Sequence, residues 1–270
     1  MKTSLAVGEA GAAGAAYREI KRRIINASYA PGQKLSEARL SVELGVGRSP
    51  IRTALARLQG ERWIAVSPQS GTYVRGLSGK EIDDVLEFRL VLETHVAGLA
   101  AKRIGDAALR KLRRAFDAFG PTVASNRVDE YLELDLDVHV AIYHAAGNEL
   151  ITQNLLDLID KVRWIRRGSM AWPLRIQEAY QEVERVLQGL ERRDSAAARN
   201  AMRAHIENII KFRKDIADHA MAGAGGGSLD PHGPATAGLS PTRRSAASAV
   251  CRSIDAPDRT GSRNTRRSTA

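Results

Sequence analysis

Apolar residues recur every three to four positions through most of this chain, and short β-prone runs are confined to a stretch near residue 70. Ile20, Ile24 and Ile25 fall on one side of a predicted helix over residues 17–27, with Arg and Lys on the others. Pro31-Gly32 is a turn signal that closes this segment. A second helix opens at Glu37 behind Ser36, a candidate N-cap, and carries Leu40 and Leu44 on its apolar side. Gly45-Val46-Gly47 reads as a tight turn. The third helix runs from about Ser49 to Gly60, with Pro50 in its first turn and Ile51, Leu55 and Leu58 at helical spacing. Trp63 to Arg75 gives two short β-prone runs around a Pro/Ser/Gly turn, a small hairpin. Three helices followed by a hairpin predict a winged helix-turn-helix over residues 17–76, with the helix-turn-helix at about 37–56.

The pattern from residue 77 to 219 is helical throughout. Helices are predicted near 79–104, 106–119, 126–146, 148–168, 173–192 and 194–218. Gly105-Asp106, Gly120-Pro121, Gly147-Asn148, Trp172-Pro173 and Asp194 mark the breaks, and Ser78 and Asn148 are candidate caps. Six helices of this length make a bundle. Residues 1–16 are rich in Ala and Gly, and residues 220–270 in Gly, Ser, Pro, Arg and Ala, so a disordered leader and a disordered basic tail are expected. The fold class is mainly α: a winged head followed by an all-α body.

Charge sharpens this division. Residues 17–76 hold eleven Lys/Arg against four Asp/Glu, a net +7. Residues 77–220 come to −1 and residues 221–270 to +4. A basic head on a neutral body is the asymmetry of a nucleic-acid-binding domain joined to something else. The third helix carries Arg48, Ser49, Arg52 and Thr53 opposite its apolar side, a shape and charge suited to the major groove of DNA. An arginine there contacts guanine bidentately or clamps a phosphate; a solvated charged face is the plainer alternative. The single cysteine, Cys251, excludes an internal disulfide framework and suits a reducing compartment. No apolar run reaches membrane-spanning length, and the first sixteen residues lack the apolar stretch of an export signal. A cytoplasmic location is expected.

The segment from Pro31 to Gln59, with Pro31-Gly32, Leu35-Ser36-Glu37, Leu44-Gly45-Val46 and Arg48-Ser49-Pro50-Ile51-Arg52-Thr53-Ala54-Leu55, resembles the GntR family of bacterial repressors. The likeness continues into the wing at Ser70-Gly71-Thr72-Tyr73-Val74. The body resembles the FCD domain of the family's FadR-type branch, through Glu87–Glu93, Asp135–His139, Ala146–Leu150 and Ala198–His205. Together the two cover about residues 17–218. The resemblance implies a sequence-specific transcriptional regulator, most often a repressor, that binds a pseudo-palindromic operator as a homodimer. It implies DNA contacts from Arg48 and Arg52; Ser49, Arg39 and the wing residues Gln69, Ser70 and Gly71 are further candidates for DNA contact, with Gly71 more simply read as supplying a backbone conformation that a Cβ would forbid. It also implies a small organic-acid effector in the body and a divalent metal, zinc, nickel or manganese, held by an Asp and three His. The chain departs from the family at three places. Gly47 replaces a Ser or Thr before the turn's Arg, Ala38 replaces an Arg beside Glu37, and Val183 stands where the second of the three His falls.

Asp135 and His139 are spaced i, i+4 among Leu132, Leu136, Ile142 and Tyr143, and His205 lies between Met202 and Ile209. These three form either an incomplete metal site or a hydrogen-bonded polar cluster without metal. Three protein ligands plus water or an effector carboxylate complete a coordination sphere at open sites. Arg89, with Glu93 as its i+4 neighbour, is either an intrahelical ion pair or a clamp for the effector's carboxylate. Trp164, Trp172 and Tyr143 are expected in the core. A metal-dependent enzyme built on Asp135, His139 and His205 is a competing class, as is an architectural DNA binder without effector. No nucleophile motif, phosphate-binding loop or cofactor fingerprint supports the enzyme, and none suggests an organic cofactor.

Overall fold

The structure, a computed structural model, describes residues 11–169 and 172–223. Helix α1, Ala12–Ile25, begins inside the stretch expected to lack order. Alanine is the strongest helix former, and Ala16 and Tyr17 are buried, so packing extends the helix into the supposed leader. The first ten residues of that leader lie outside the described residues. Ala27, at a left-handed φ of 56°, ends the helical path.

A two-residue strand, β1 (Lys34–Leu35), leads into α2 (Glu37–Leu44). It is too short to show alternation, and sequence reading misses it. Ser36 caps α2 by accepting from the Arg39 N–H, and Gly45 closes it at φ 62°. Helix α3, Arg48–Gly60, follows after Val46 and Gly47; Gly47 precedes it with no side-chain cap, as the loss of a hydroxyl there requires. Strands β2 (Ile64–Ser67) and β3 (Gly71–Val74) form the wing, in the sheet order β1-β3-β2, all antiparallel. Ile64 pairs with Val74 and Ser67 with Gly71. Gly71 sits at φ +126°, a backbone conformation that calls for glycine; the end of the Lys34 side chain, 2.6 Å from where a Cβ would lie, is free to swing aside. Ile20, Ile24, Leu40, Ile51, Leu58 and Trp63 make the head's core.

The body has seven helices among the described residues: α4 (Gly79–Arg103), α5 (Asp106–Phe119), α6 (Val128–Ala145), α7 (Glu149–Asp157), α8 (Ile159–Ser169), α9 (Pro173–Glu191) and α10 (Ser195–Gly223). Ser78 and Glu81 form a reciprocal capping box at α4, and the Asn148 side chain accepts from Ile151 N–H at α7. The single helix expected over 148–168 is two, broken at Leu158. Leu158 donates to Leu155 three residues back, a tightened last turn with no Gly or Pro to announce it. Helix α10 continues past residue 219 to Gly223, and the rest of the expected tail lies outside the described residues. No helix among the described residues is long and apolar enough to cross a membrane.

Trp164 and Tyr143 are buried as expected, but Trp172 is 53% exposed and meets Phe212 edge-on. It occupies the N-cap position of α9, outside the helical repeat that would carry it inward.

Helices α9 and α10 approach unusually closely at Gly189. A Cβ there would sit 2.7 Å from backbone atoms of Ala198, which cannot move without shifting the helix. Elsewhere in a helix Gly→Ala gains up to about 1 kcal/mol. Gly189→Ala is instead expected to lose roughly 1–2 kcal/mol through overpacking, read by urea unfolding. A stabilised variant would show that the two helices do not meet this closely.

The head rests on the body through α1 and α8. Lys21 Nζ lies 2.8 Å from Glu61 Oε2 of the head and 2.7 Å from Asp160 Oδ2 of α8.

Candidate functional site

Two places carry the chemistry expected from the sequence. The first is the surface of α3 and the wing. Arg48, Ser49 and Arg52 are exposed on α3, because Ile51, Ala54, Leu55 and Leu58 take the inward face. Arg52, its side chain 72% exposed, pairs with Glu37 of α2, with Nη2 3.0 Å from Oε2. Arg39 pairs with Glu43 one turn on, at 2.6 Å. Such exposed pairs contribute little, so a phosphate or base edge can take either guanidinium from its carboxylate. Thr53 donates back to the Ser49 carbonyl, which turns its hydroxyl away from outside partners. At the wing tip Gln69 adopts a left-handed φ of 63° and is exposed; Ser70 shares a 2.7 Å hydrogen bond with the Tyr73 hydroxyl.

The second place is inside the body. Asp135 and His139 of α6 and His205 of α10 are each about 1% exposed, and a ligand atom from each lies within 4.8 Å of the others. The two imidazole centroids are 5.3 Å apart, and His139 Nε2 is 3.7 Å from Asp135 Oδ1. Each imidazole is fixed from behind. His139 Nδ1 lies 2.6 Å from Glu93 Oε2, and His205 Nδ1 lies 2.8 Å from Glu182 Oε2. Each glutamate is held in turn by an arginine: Arg89 Nε donates to Glu93 at 2.5 Å, and Arg175 makes a two-pronged contact with Glu182 at 2.8 and 2.9 Å. Two Arg–Glu–His chains therefore converge and present both Nε2 atoms toward Asp135. A carboxylate on Nδ1 orients an imidazole and raises the basicity of its other nitrogen, the outer-shell arrangement of histidine metal ligands.

Electrostatics agree with geometry. Burial pushes the His139 imidazole down to about 4, although Glu93 and Asp135 oppose the shift. His139 is therefore neutral near pH 7, the form that binds a metal. Glu93 stays ionised despite burial because Arg89 and His139 hold its carboxyl well below the usual range.

Several buried polar atoms at this place make no hydrogen bond within the described residues: Asp135 Oδ1, His205 Nε2 and all three nitrogens of Arg166. Arg166 Nη1 lies 2.7 Å from Asp135 Oδ2, an ion pair without hydrogen-bond alignment. Buried polar groups in folded proteins nearly always have partners, so these atoms are places for a water, an ion or a ligand. The donor set of one carboxylate and two imidazoles fits a divalent first-row cation. Val183 is buried on α9 beside Glu182 and offers no donor.

The cluster expected from spacing is thus brought together, and Arg89 joins it through Glu93 rather than directly. Sequence reading misses Glu182, Arg175 and Arg166. Arg175 and Glu182 are spaced i, i+7 on α9, a signal that was present but looks like any charged face. His95 is exposed and takes no part.

Comparison with known proteins places both halves. The model of bacterial regulatory proteins of the gntR family matches residues 12–74, and the FCD domain model matches residues 84–208. The HTH-type transcriptional repressor RspR of Escherichia coli K12 is 28% identical over 203 residues, which span 74% of this chain and 88% of that repressor. The gluconate operon transcriptional repressor of Bacillus licheniformis is 29% identical over 172 residues, covering 63% of this chain and 68% of that protein. Among solved structures, E. coli McbR/YncC covers 76% of this chain and 99% of its own at a TM-score of 0.59 and 17% identity, a likeness of fold. With the winged head, the helical body and both family models in the same order, this chain belongs to the GntR family, as a DNA-binding transcriptional regulator whose C-terminal half is a ligand-binding FCD domain.

Proposed function

We propose that this regulator represses transcription from a pseudo-palindromic operator as a homodimer, and that a small carboxylate bound at Asp135, His139 and His205 alters its operator affinity. Arg48, Ser49 and Arg52 contact the major groove or its phosphates, with Arg39 and the wing residues Gln69, Ser70 and Gly71 on the flanks. The observation that carries the effector reading is the pair of Arg–Glu–His chains converging on unpaired buried atoms. Arg89 and Arg175 position the glutamates, and the glutamates position the imidazoles. A divalent cation bound by the three residues supplies a Lewis-acid anchor for the effector's carboxylate, with Arg166 as a neighbouring positive charge. One relative is named for the operon of a sugar acid, gluconate, which is such a carboxylate. Relatives named as repressors favour a sensor over an enzyme.

Melting curves with added zinc, nickel or manganese test the site. A ligand that binds only the folded state raises the melting temperature with concentration. The rise is expected in the parent protein, absent in His139→Ala and larger in Val183→His, which restores a third imidazole. No rise in either the parent or Val183→His would overturn the metal site. A rise only in Val183→His would show a metal-free pocket that holds its carboxylate through Arg166 and the imidazoles.

A further inference from the structure

A cleft of about 670 Å³ opens between α1 of the head and α6 and α8 of the body. Arg18, Lys21 and Arg22 line it from α1, and Arg163, Arg166 and Arg167 from α8. Three carboxylates, Asp129, Glu133 and Asp160, also line it and leave a clear excess of positive charge. They are already engaged: Asp160 with Lys21 at 2.7 Å, Asp129 with Arg167 at 2.7 Å and Glu133 with Arg163 at 3.1 Å. Arg22 pairs with Glu19 outside the cleft at 2.7 Å. The pairs of Arg163 and Arg167 are partly exposed and weak, so an incoming anion can exchange with their carboxylates.

Arg166 is the second, independent sign of a ligand. It lines this cleft and also touches Asp135, so it stands between the cleft and the buried cluster. It is 3% exposed, and all three of its nitrogens lack a hydrogen bond within the described residues. A guanidinium carries five donors in a planar fork suited to carboxylate or phosphate. Nη1 is ion-paired with Asp135 at 2.7 Å, which leaves Nε and Nη2 without a partner beside a cleft whose surplus positive charge suits an oxyanion.

We propose that this cleft is a binding site for a small polyanion, a molecule carrying at least two carboxylate or phosphate groups. One group meets Arg166; another meets the basic walls of α1 and α8. Because one wall belongs to the head and the other to the body, the bound polyanion bridges them. This site shares Arg166 with the proposed effector site but lies outside the buried cluster of Asp135, His139 and His205, and its test does not depend on a metal.

Calorimetric titration of the full chain in metal-free buffer tests the proposal, with citrate as the carboxylate probe, pyrophosphate as the phosphate probe and acetate as the monovalent control. At least one polyanion is expected to bind, with affinity falling as salt rises, while acetate at equal ionic strength does not. The arm that binds identifies the anion's chemistry. Arg22→Glu and Arg163→Glu, both at exposed positions that folding tolerates, are each expected to weaken binding about fivefold or more. His205→Ala is expected to leave it intact. Failure of both polyanions to bind more tightly than acetate would overturn the site, as would binding indifferent to both wall variants. Loss in His205→Ala with the wall variants unaffected would move the anion into the buried cluster and equally overturn the cleft.

Discussion

Arg89→Met is expected to cost about 3–5 kcal/mol of folding stability, because it leaves Glu93 as a buried charge without its main counter-ion. Both side chains are 0% exposed, and no solvent reaches Glu93 to replace the guanidinium. The His139 contact survives, but near pH 7 the neutral imidazole offers a hydrogen bond and no counter-charge in place of the guanidinium. The pH dependence has a definite sign. Glu93 titrates well below its ordinary 4.5 in the folded parent, so its contribution is full above 4.5 and is lost as pH falls toward the folded value. The variant lacks that contribution, so the difference between parent and variant is largest near neutrality and narrows below about pH 4.5. Adding Glu93→Gln to Arg89→Met removes the stranded charge and keeps an acceptor for His139 Nδ1–H. Most of the lost stability is expected to return. Urea unfolding of the parent and both variants near pH 7, and of the parent and single variant also near pH 4, measures all of this. A single-variant loss below about 1 kcal/mol would mean the pair is not buried as described.

The largest functional loss is expected from Arg48→Ala combined with Arg52→Ala. Each arginine that reads a base contributes about five- to a hundredfold in operator affinity, and the double variant is expected to approach non-specific binding. A phosphate contact leaves a different trace: affinity falls on all sequences alike, and the salt slope flattens by about one unit. Arg52 also has a competitor in Glu37, so Glu37→Gln is expected to tighten binding to DNA of any sequence modestly. Fluorescence anisotropy with operator and scrambled duplexes across a salt series separates these cases. Operator affinity unchanged in the double variant would remove α3 from the interface.

The head was legible because its signals are local. A cap at Ser36, a left-handed glycine at Gly45 and apolar residues at helical spacing each act within a few positions, and their order defines the winged fold. The failures have equally local causes. The break at Leu158 is made by tightened backbone hydrogen bonding with no special residue, and β1 exists only because β3 lies beside it. The early start of α1 follows from the burial of Ala16 and Tyr17, a tertiary event that composition does not report.

The buried cluster was half legible for a related reason. Asp135 and His139 share one helix, so spacing alone puts them on one face; His205 showed its inward direction through apolar neighbours. Glu182 and Arg166 reveal their roles only once α9 and α8 lie against α10 and α6, because the atoms they meet are distant in sequence. A charged side chain that ends in the core looks, in the sequence, like one that ends in water.

Helix α8 carries Asp160, which grips Lys21 of the head, and Arg166, which touches Asp135 in the body. They are six residue steps apart on one helix, about 9 Å along the axis, too short a rod to bend appreciably. A displacement at one end would therefore be felt at the other. Thermodynamic linkage then requires reciprocity: if occupancy near Arg166 changes affinity for DNA by some factor, DNA changes affinity at Arg166 by the same factor. A Kd for the small ligand is therefore defined only together with the DNA occupancy at which it was measured.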